Sequence, residues 1–163
     1  MAIKKKLGRN AMTHQQVVPA DEAEMVHEEH VELRTNLAEL DDALDHLRLD
    51  SGTRGELSGA SEVGTMVRRF EAFLPLHFQH EEKSLLDNVS AVSPELMELT
   101  GQLRREHQYL AYLFSAFAET ARSLIGSDDV ASEIARIKLL GESFTEQLRR
   151  HMSVEETELA GFL

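Results

Sequence analysis

Four amphipathic segments predict an all-α protein, an up-down-up-down four-helix bundle. Three observations carry this reading. From Asp21 onward the apolar residues recur at three- and four-residue spacing, breaks rich in Gly, Ser and Pro fall in three places, and alternating strand-like runs are missing. Segments of roughly 30 residues joined by short connections pack as antiparallel neighbours.

The first segment, Asp21 to Leu49, carries Val26, Leu33, Leu37, Leu40, Leu44 and Leu47 on one stripe and stops at Ser51 and Gly52, with Gly55 and Gly59 continuing the break. The second, Ser61 to Val89, runs through Val63, Met66, Phe70, Phe73 and Leu74 to a break at Ser90, Ser93 and Pro94; Pro75 inside it is expected to bend it. Ser93 as N-cap and Pro94 at the first helical position open the third segment, which presents Leu96, Leu103, Leu110, Phe114 and Ala121 before Gly126 closes it. Asp128 suits the cap of the fourth, whose common face holds Val130, Ile137, Leu140, Phe144 and Phe162, with Gly141 as its weak point.

Length and composition bound the function. At 163 residues and 42% apolar content, the chain fits one domain with a buried core. Cysteine is absent, which excludes disulfides, thiolate nucleophiles, iron-sulfur clusters and cysteine zinc sites, so any metal is held by nitrogen or oxygen. The formal charge of −12 opposes binding to a phosphate backbone, and no nucleic-acid partner is expected. Lys4, Lys5, Lys6 and Arg9 give residues 1–20 a charge of +4, leaving −16 on the remainder. Residues 1–20 read as a flexible basic arm and 21–163 as the bundle. No apolar stretch follows the arm that would make it a leader, and none approaches the length of a membrane span, so a cytoplasmic location is expected.

The eight histidines carry the functional signal. Spacing alone decides little, since His-x-x-x-acid occurs at His46/Asp50, His77/Glu81 and His151/Glu155. Helical face decides more. His30 lies on the stripe of Val26, Leu33 and Leu37; His77 follows Phe70 and Phe73; His107 falls between Leu103 and Leu110; His151 comes seven after Phe144. Glu81 and Glu155, one turn beyond their histidines, lie about 40° away and point inward too. All four histidines fall about 9 to 13 residues from one shared end of the bundle, so the six side chains converge on one level. Buried unpaired carboxylates are costly, and a pair of cations would compensate them.

The chain also repeats itself. Glu29-His30-Val31-Glu32-Leu33 is similar to Glu106-His107-Gln108-Tyr109-Leu110, and His77-Phe78-Gln79-His80-Glu81-Glu82 to His151-Met152-Ser153-Val154-Glu155-Glu156. Two helical hairpins related by a pseudo-twofold would each bring one His and one His-x-x-x-Glu, the symmetry of a two-metal site. Of the remaining histidines, His14 falls in the arm, His27 aligns with Arg104, and His46 sits about 160° from His30 near a helix end. His80, whose repeat partner is Val154, reads better as a support for a ligand than as a ligand. Tyr109 and Tyr112 fall away from the His107 face, and Phe73, Phe114 and Phe144 are expected to line the centre.

At these residues the chain resembles the hemerythrin-like HHE cation-binding domains, whose ligands run His, His-x-x-x-Glu, His, His-x-x-x-Glu. The resemblance covers about residue 21 to the end. It implies that His30, His77, His107 and His151 are terminal ligands of a non-haem di-iron centre (Fe2+/Fe3+), with Glu81 and Glu155 bridging the irons beside an oxo or hydroxo ligand. His30 and His77 would serve one iron, His107 and His151 the other. Oxygen-carrying hemerythrins add a histidine one turn along the third helix, where this chain has Ala111. Both irons are then expected to keep an open position, which suits a small diatomic or peroxide ligand: binding of dioxygen or nitric oxide, or a catalase-like or peroxidase-like reaction of peroxide.

Rival readings fit the residues less well. A zinc protease needs His-Glu-x-x-His, and His27-Glu28-Glu29-His30 is one residue short. Ferritin-like sites need Glu-x-x-His on two helices, and only Glu24-Met25-Val26-His27 supplies it. A plain bundle with satisfied core histidines does not account for four of them at one level with two acids. The alternative in function is a non-catalytic, metal-dependent sensor or interaction module.

Overall fold

The computed structural model describes residues 17–49 and 57–163, and its first long helix starts without a side-chain cap. In α1 (Ala20–His46) the Pro19 carbonyl accepts from the N–H groups of Glu22 and Ala23, and Asp21 and Glu22 in the first turn favour the positive end of the helix dipole. The helix ends three residues before the predicted boundary. Leu47 turns extended, and Arg48–Leu49 (β1) pair antiparallel with Leu57–Ser58 (β2), a strand pair that the sequence pattern did not suggest. Gly59 is the reason the chain can return here. Its φ is +81°, and a Cβ on it would stand 2.7 Å from the His46 and Leu47 backbone, so no larger residue fits.

The second rod has three parts. The α-helix α2 (Ala60–His80) passes through Pro75 without interruption, continues into a π-helical turn at Glu81–Leu86, and ends in α3 (Asp87–Ser90). The Asp87 N–H reaches back five residues to Glu82 O. Ser84 Oγ donates to His80 O and Asn88 Nδ2 to Ser84 O, each 2.6 Å, so side chains serve carbonyls at both ends of the widened turn.

Ser93 caps α4 (Pro94–Ser123), its Oγ accepting from Leu96 N at 3.2 Å, as the sequence predicts. The cap of α5 (Val130–Glu158) is Asp129 and not Asp128: its carboxylate accepts from Ser132 N at 3.1 Å, whereas Asp128 lies one residue too early to do so. The helices form a closed ring of neighbours, α1 against α2, α2 against α4, α4 against α5 and α5 against α1. Gly141 lets α5 approach α1; a Cβ there would meet Leu44 at 2.6 Å and Phe117 at 3.2 Å.

Among the described residues, two apolar clusters fill the interior. The larger includes Leu33, Leu37, Leu40, Phe70, Leu110, Phe117, Phe144 and Leu148; the smaller gathers Val18, Val26, Leu85, Leu86, Val89, Leu103 and Leu159. On every rod the inward histidines and glutamates fall between residues of the two clusters, so a polar layer separates them. Among the described residues, no helix is long and apolar enough to cross a membrane. The arm expected over residues 1–20 lies, up to residue 16, outside the described residues.

Candidate metal centre

The ring of antiparallel rods brings the six predicted side chains into one buried layer. His30 comes from α1, His77 from α2, Glu81 from the first position of the π turn, His107 from α4, and His151 and Glu155 from α5. None is more than 3% exposed. Behind Glu81 the widened turn buries both Leu85 and Leu86 in the smaller apolar cluster.

All four imidazoles aim Nε2 at the centre. Glu81 Oε1 lies 2.9 Å from His30 Nε2 and 3.0 Å from His77 Nε2, while Glu81 Oε2 lies 3.0 Å from His107 Nε2 and 3.8 Å from His151 Nε2. Glu155 spans the same gap with Oε2 3.4 Å from His30 and Oε1 3.5 Å from His151. Glu81 therefore faces both histidines of α1 and α2 and both of α4 and α5, whereas Glu155 faces one on α1 and one on α5. Two overlapping groups of metal-competent side chains result, His30 with His77 and Glu81, and Glu81 with His107, His151 and Glu155, their donor atoms within 4.8 Å of one another.

The outer nitrogens are held just as regularly. Nδ1 of His77 donates to Glu29 (2.9 Å), that of His107 to Glu82 (2.9 Å), that of His151 to Glu106 (3.1 Å) and that of His30 to Glu156 (3.1 Å). An ionised carboxylate only accepts, so Nδ1 carries the hydrogen, and a ring that gives up its other proton presents an Nε2 lone pair inward. Glu106, through its bond from His151, and Glu156, through Arg34, are held below the ordinary carboxylate range and remain acceptors. Glu29 also accepts from His80 Nδ1 at 2.6 Å, which gives His80 the supporting place expected for it.

Such a donor set does not satisfy itself. Glu81 Oε2, both oxygens of Glu155 and His77 Nε2 are buried without a well-formed hydrogen bond, and the Nε2 atoms of His107 and His151 face each other at 3.0 Å. Burial opposes charge on His30 and His151, yet the carboxylates outweigh it: Glu155 and Glu81 push His30 up to about 10, and Glu106 and Glu81 push His151 up to about 10. Against the same burial, Glu29 and Glu81 push His77 up to about 8. Burial would raise Glu81, but the four imidazoles hold it well below the ordinary range; burial and the Glu81 charge push Glu155 up. The cavity thus calls for positive charge, and metal cations fit it by displacing those protons.

Aromatic rings wall the layer. Phe73 stacks on His77 with centroids 6.2 Å apart, and Phe114 and Phe144 pack with Phe70 in the apolar cluster beyond. Phe78 lies closer than any of these, 4.2 Å from His107 and 13° from parallel. Sequence reasoning missed it because one residue past His77 is about 100° around the helix. It also missed the four outer glutamates, although each is the immediate neighbour of an inward residue in the repeat. His27 and His46 are exposed, as are Tyr109 and Tyr112. His14 lies outside the described residues.

The family described as Hemerythrin HHE cation binding domain matches residues 21–163. No curated protein and no solved structure matches the chain.

Proposed function

Because the chain belongs to the hemerythrin HHE cation-binding domain family, we propose that its buried histidine and glutamate layer holds two iron ions joined by an oxo or hydroxo bridge and takes dioxygen, peroxide or nitric oxide as ligand. The observation that carries this is the placement of Glu81, one oxygen toward His30 and His77 and the other toward His107 and His151. In this reading His30 and His77 hold one ion, His107 and His151 the other, and Glu81 and Glu155 lie between them. Bound iron supplies electron transfer and coordination positions left open by the protein.

The chain's own residues supply the rest. The Nδ1 bonds to Glu29, Glu82, Glu106 and Glu156 fix each ring's orientation and tautomer, keeping four lone pairs aimed inward. Phe73 and Phe78 and the two apolar clusters exclude bulk water, which protects a redox centre from side reactions. Ala111 adds no donor, so the layer offers four nitrogens, two per ion, which supports ligand capture or peroxide dismutation over simple oxygen carriage.

A metal-dependent sensor or interaction module has one observation in its favour: each outer glutamate ties its own rod to the next, so occupancy of the layer is coupled to closure of the whole bundle. Turnover separates the two. Protein loaded with ferrous iron under anaerobic conditions is challenged separately with dioxygen, hydrogen peroxide and nitric oxide. Sustained peroxide consumption supports an enzyme, a single stoichiometric response a binder or sensor, and no response to any of the three contradicts the proposal.

A further inference from the structure

The repeat makes the differences between its halves informative. An offset of 77 pairs Arg34 on α1 with Ala111 on α4, and an offset of 74 pairs Phe78 on α2 with Met152 on α5. Between α5 and α1, Arg34 forms an ion pair with Glu156, the carboxylate that holds His30, and lies across that seam. Between α2 and α4 the equivalent position is a methyl group. An open groove of about 330 Å³ runs there, from Pro75 and Gln79 to Gln108 and Ala111, with Glu82 and Lys83 also on its wall and the buried Phe78 and His107 in its lining.

Phe78, which lines this groove, also packs on the histidines of the polar layer. The residue is only 7% exposed, and its ring lies flat on His107 with its centroid 5.7 Å from that of His77 and 6.2 Å from that of His151. A phenyl ring makes no hydrogen bond that would lock it, and rotation of the side chain is the motion by which it would join groove and layer. A second space, of only about 100 Å³, abuts His151 between α4 and α5; Glu106, bonded to both His151 and Gln102, lines it as Glu82, bonded to His107, lines the groove.

We propose that the α2–α4 groove is the mouth of the metal centre, with Phe78 as its door, and that a small uncharged molecule of two to four atoms enters there and meets the His107 and His151 side first. The inference rests on the metal-pair reading above. An apolar door of one ring admits little more than such a molecule, and stripping water from an ion to pass it is unfavourable. Dioxygen, nitric oxide and hydrogen peroxide are of this class; chelators and larger anions are not.

The test uses the full chain loaded with ferrous iron, with nitric oxide as the probe, its association rate read by stopped-flow absorbance and metal content by elemental analysis. Ala111→Arg places at the groove the side chain that covers the opposite seam; at full metal content it is expected to slow association about tenfold or more, while Phe78→Ala speeds it about tenfold and Met152→Ala changes it less than twofold. Because Ala111 is exposed, its substitution leaves the core intact even where Phe78→Ala disturbs it. Ala111→Arg with full metal content and an unchanged rate would overturn the door, as would Met152→Ala accelerating entry as much as Phe78→Ala. A parent chain that retains no metal would instead overturn the metal reading, and this inference with it.

Discussion

Glu156 accepts a hydrogen bond from His30 Nδ1 at 3.1 Å, and in doing so crosses from α5 to α1. The same crossing recurs at every seam: Glu29 of α1 holds His77 of α2, Glu82 of the π turn holds His107 of α4, and Glu106 of α4 holds His151 of α5. Four carboxylate-histidine pairs close a ring around the bundle, so each imidazole is oriented by a helix other than its own. Two elements must pack correctly before either presents a usable lone pair.

Breaking one link of this ring is expected to weaken metal binding without removing a ligand. Glu82→Gln or Glu106→Gln should cost about 10- to 100-fold in metal affinity, the usual effect of losing a ligand's hydrogen-bond partner. Competition against a chromogenic chelator checks this, with Glu32→Gln, exposed on α1, as the unchanged reference.

Glu81 and Glu155 differ in reach, and their removal should differ in consequence. Glu81 faces all four histidines and Glu155 only two, so Glu81→Ala is expected to abolish metal retention and Glu155→Ala to reduce it by half or more. With iron chelated away, Glu155→Gln should melt at the same temperature as the parent or higher, because the substitution removes a buried charge beside Glu81. His46→Ala, at the exposed end of α1, should leave metal content unchanged.

Stability should depend on pH with opposite signs in the two forms. His30, His77 and His151 are raised by their carboxylates, so without metal their contribution is complete below the unfolded imidazole value of about 6.5. It is then lost as pH climbs through about 8 for His77 and about 10 for His30 and His151. The raised Glu155 acts in the same direction, since deprotonation leaves a buried charge. Chelator-treated protein is therefore expected to melt lower at pH 9 than at pH 6.5. Iron-loaded protein should do the reverse between pH 5.5 and 8, because ligand histidines must be deprotonated to bind. Melting curves of both forms across this range decide the matter.

Gly141→Ala offers a test of packing away from the layer. Alanine favours a helix by about 1 kcal/mol over glycine, but its methyl group would stand 2.6 Å from Leu44 and 3.2 Å from Phe117. Overpacking of this kind costs about 1–3 kcal/mol, so a net loss of stability with metal content retained is expected by chemical denaturation.

The rods and the inward faces were legible in the sequence because a 3.6-residue repeat writes burial directly into spacing. Val26, His30, Leu33 and Leu37 fall on one stripe, and all four are buried. Ser93 and Pro94 announced a helix start through local chemistry alone. What escaped was set by contacts between helices or by departures from the ideal repeat. Leu47 leaves the helix where Gly59, from another segment, packs against its backbone, a contact that no local pattern of apolar residues encodes. The π turn at Glu81–Leu86 changes the angular step that face assignment relies on. Glu29, Glu82, Glu106 and Glu156 read as ordinary solvent-facing acids, since each acquires its role only from the histidine of the next rod.

The central claim is that one buried layer grips two ions, and metal stoichiometry tests it most directly. The protein, loaded anaerobically with excess ferrous iron, freed of unbound metal and analysed for iron against protein concentration, is expected to retain two irons per chain in the parent and none in Glu81→Ala. Retention of no iron by the parent, or of equal amounts by both proteins, would contradict the account.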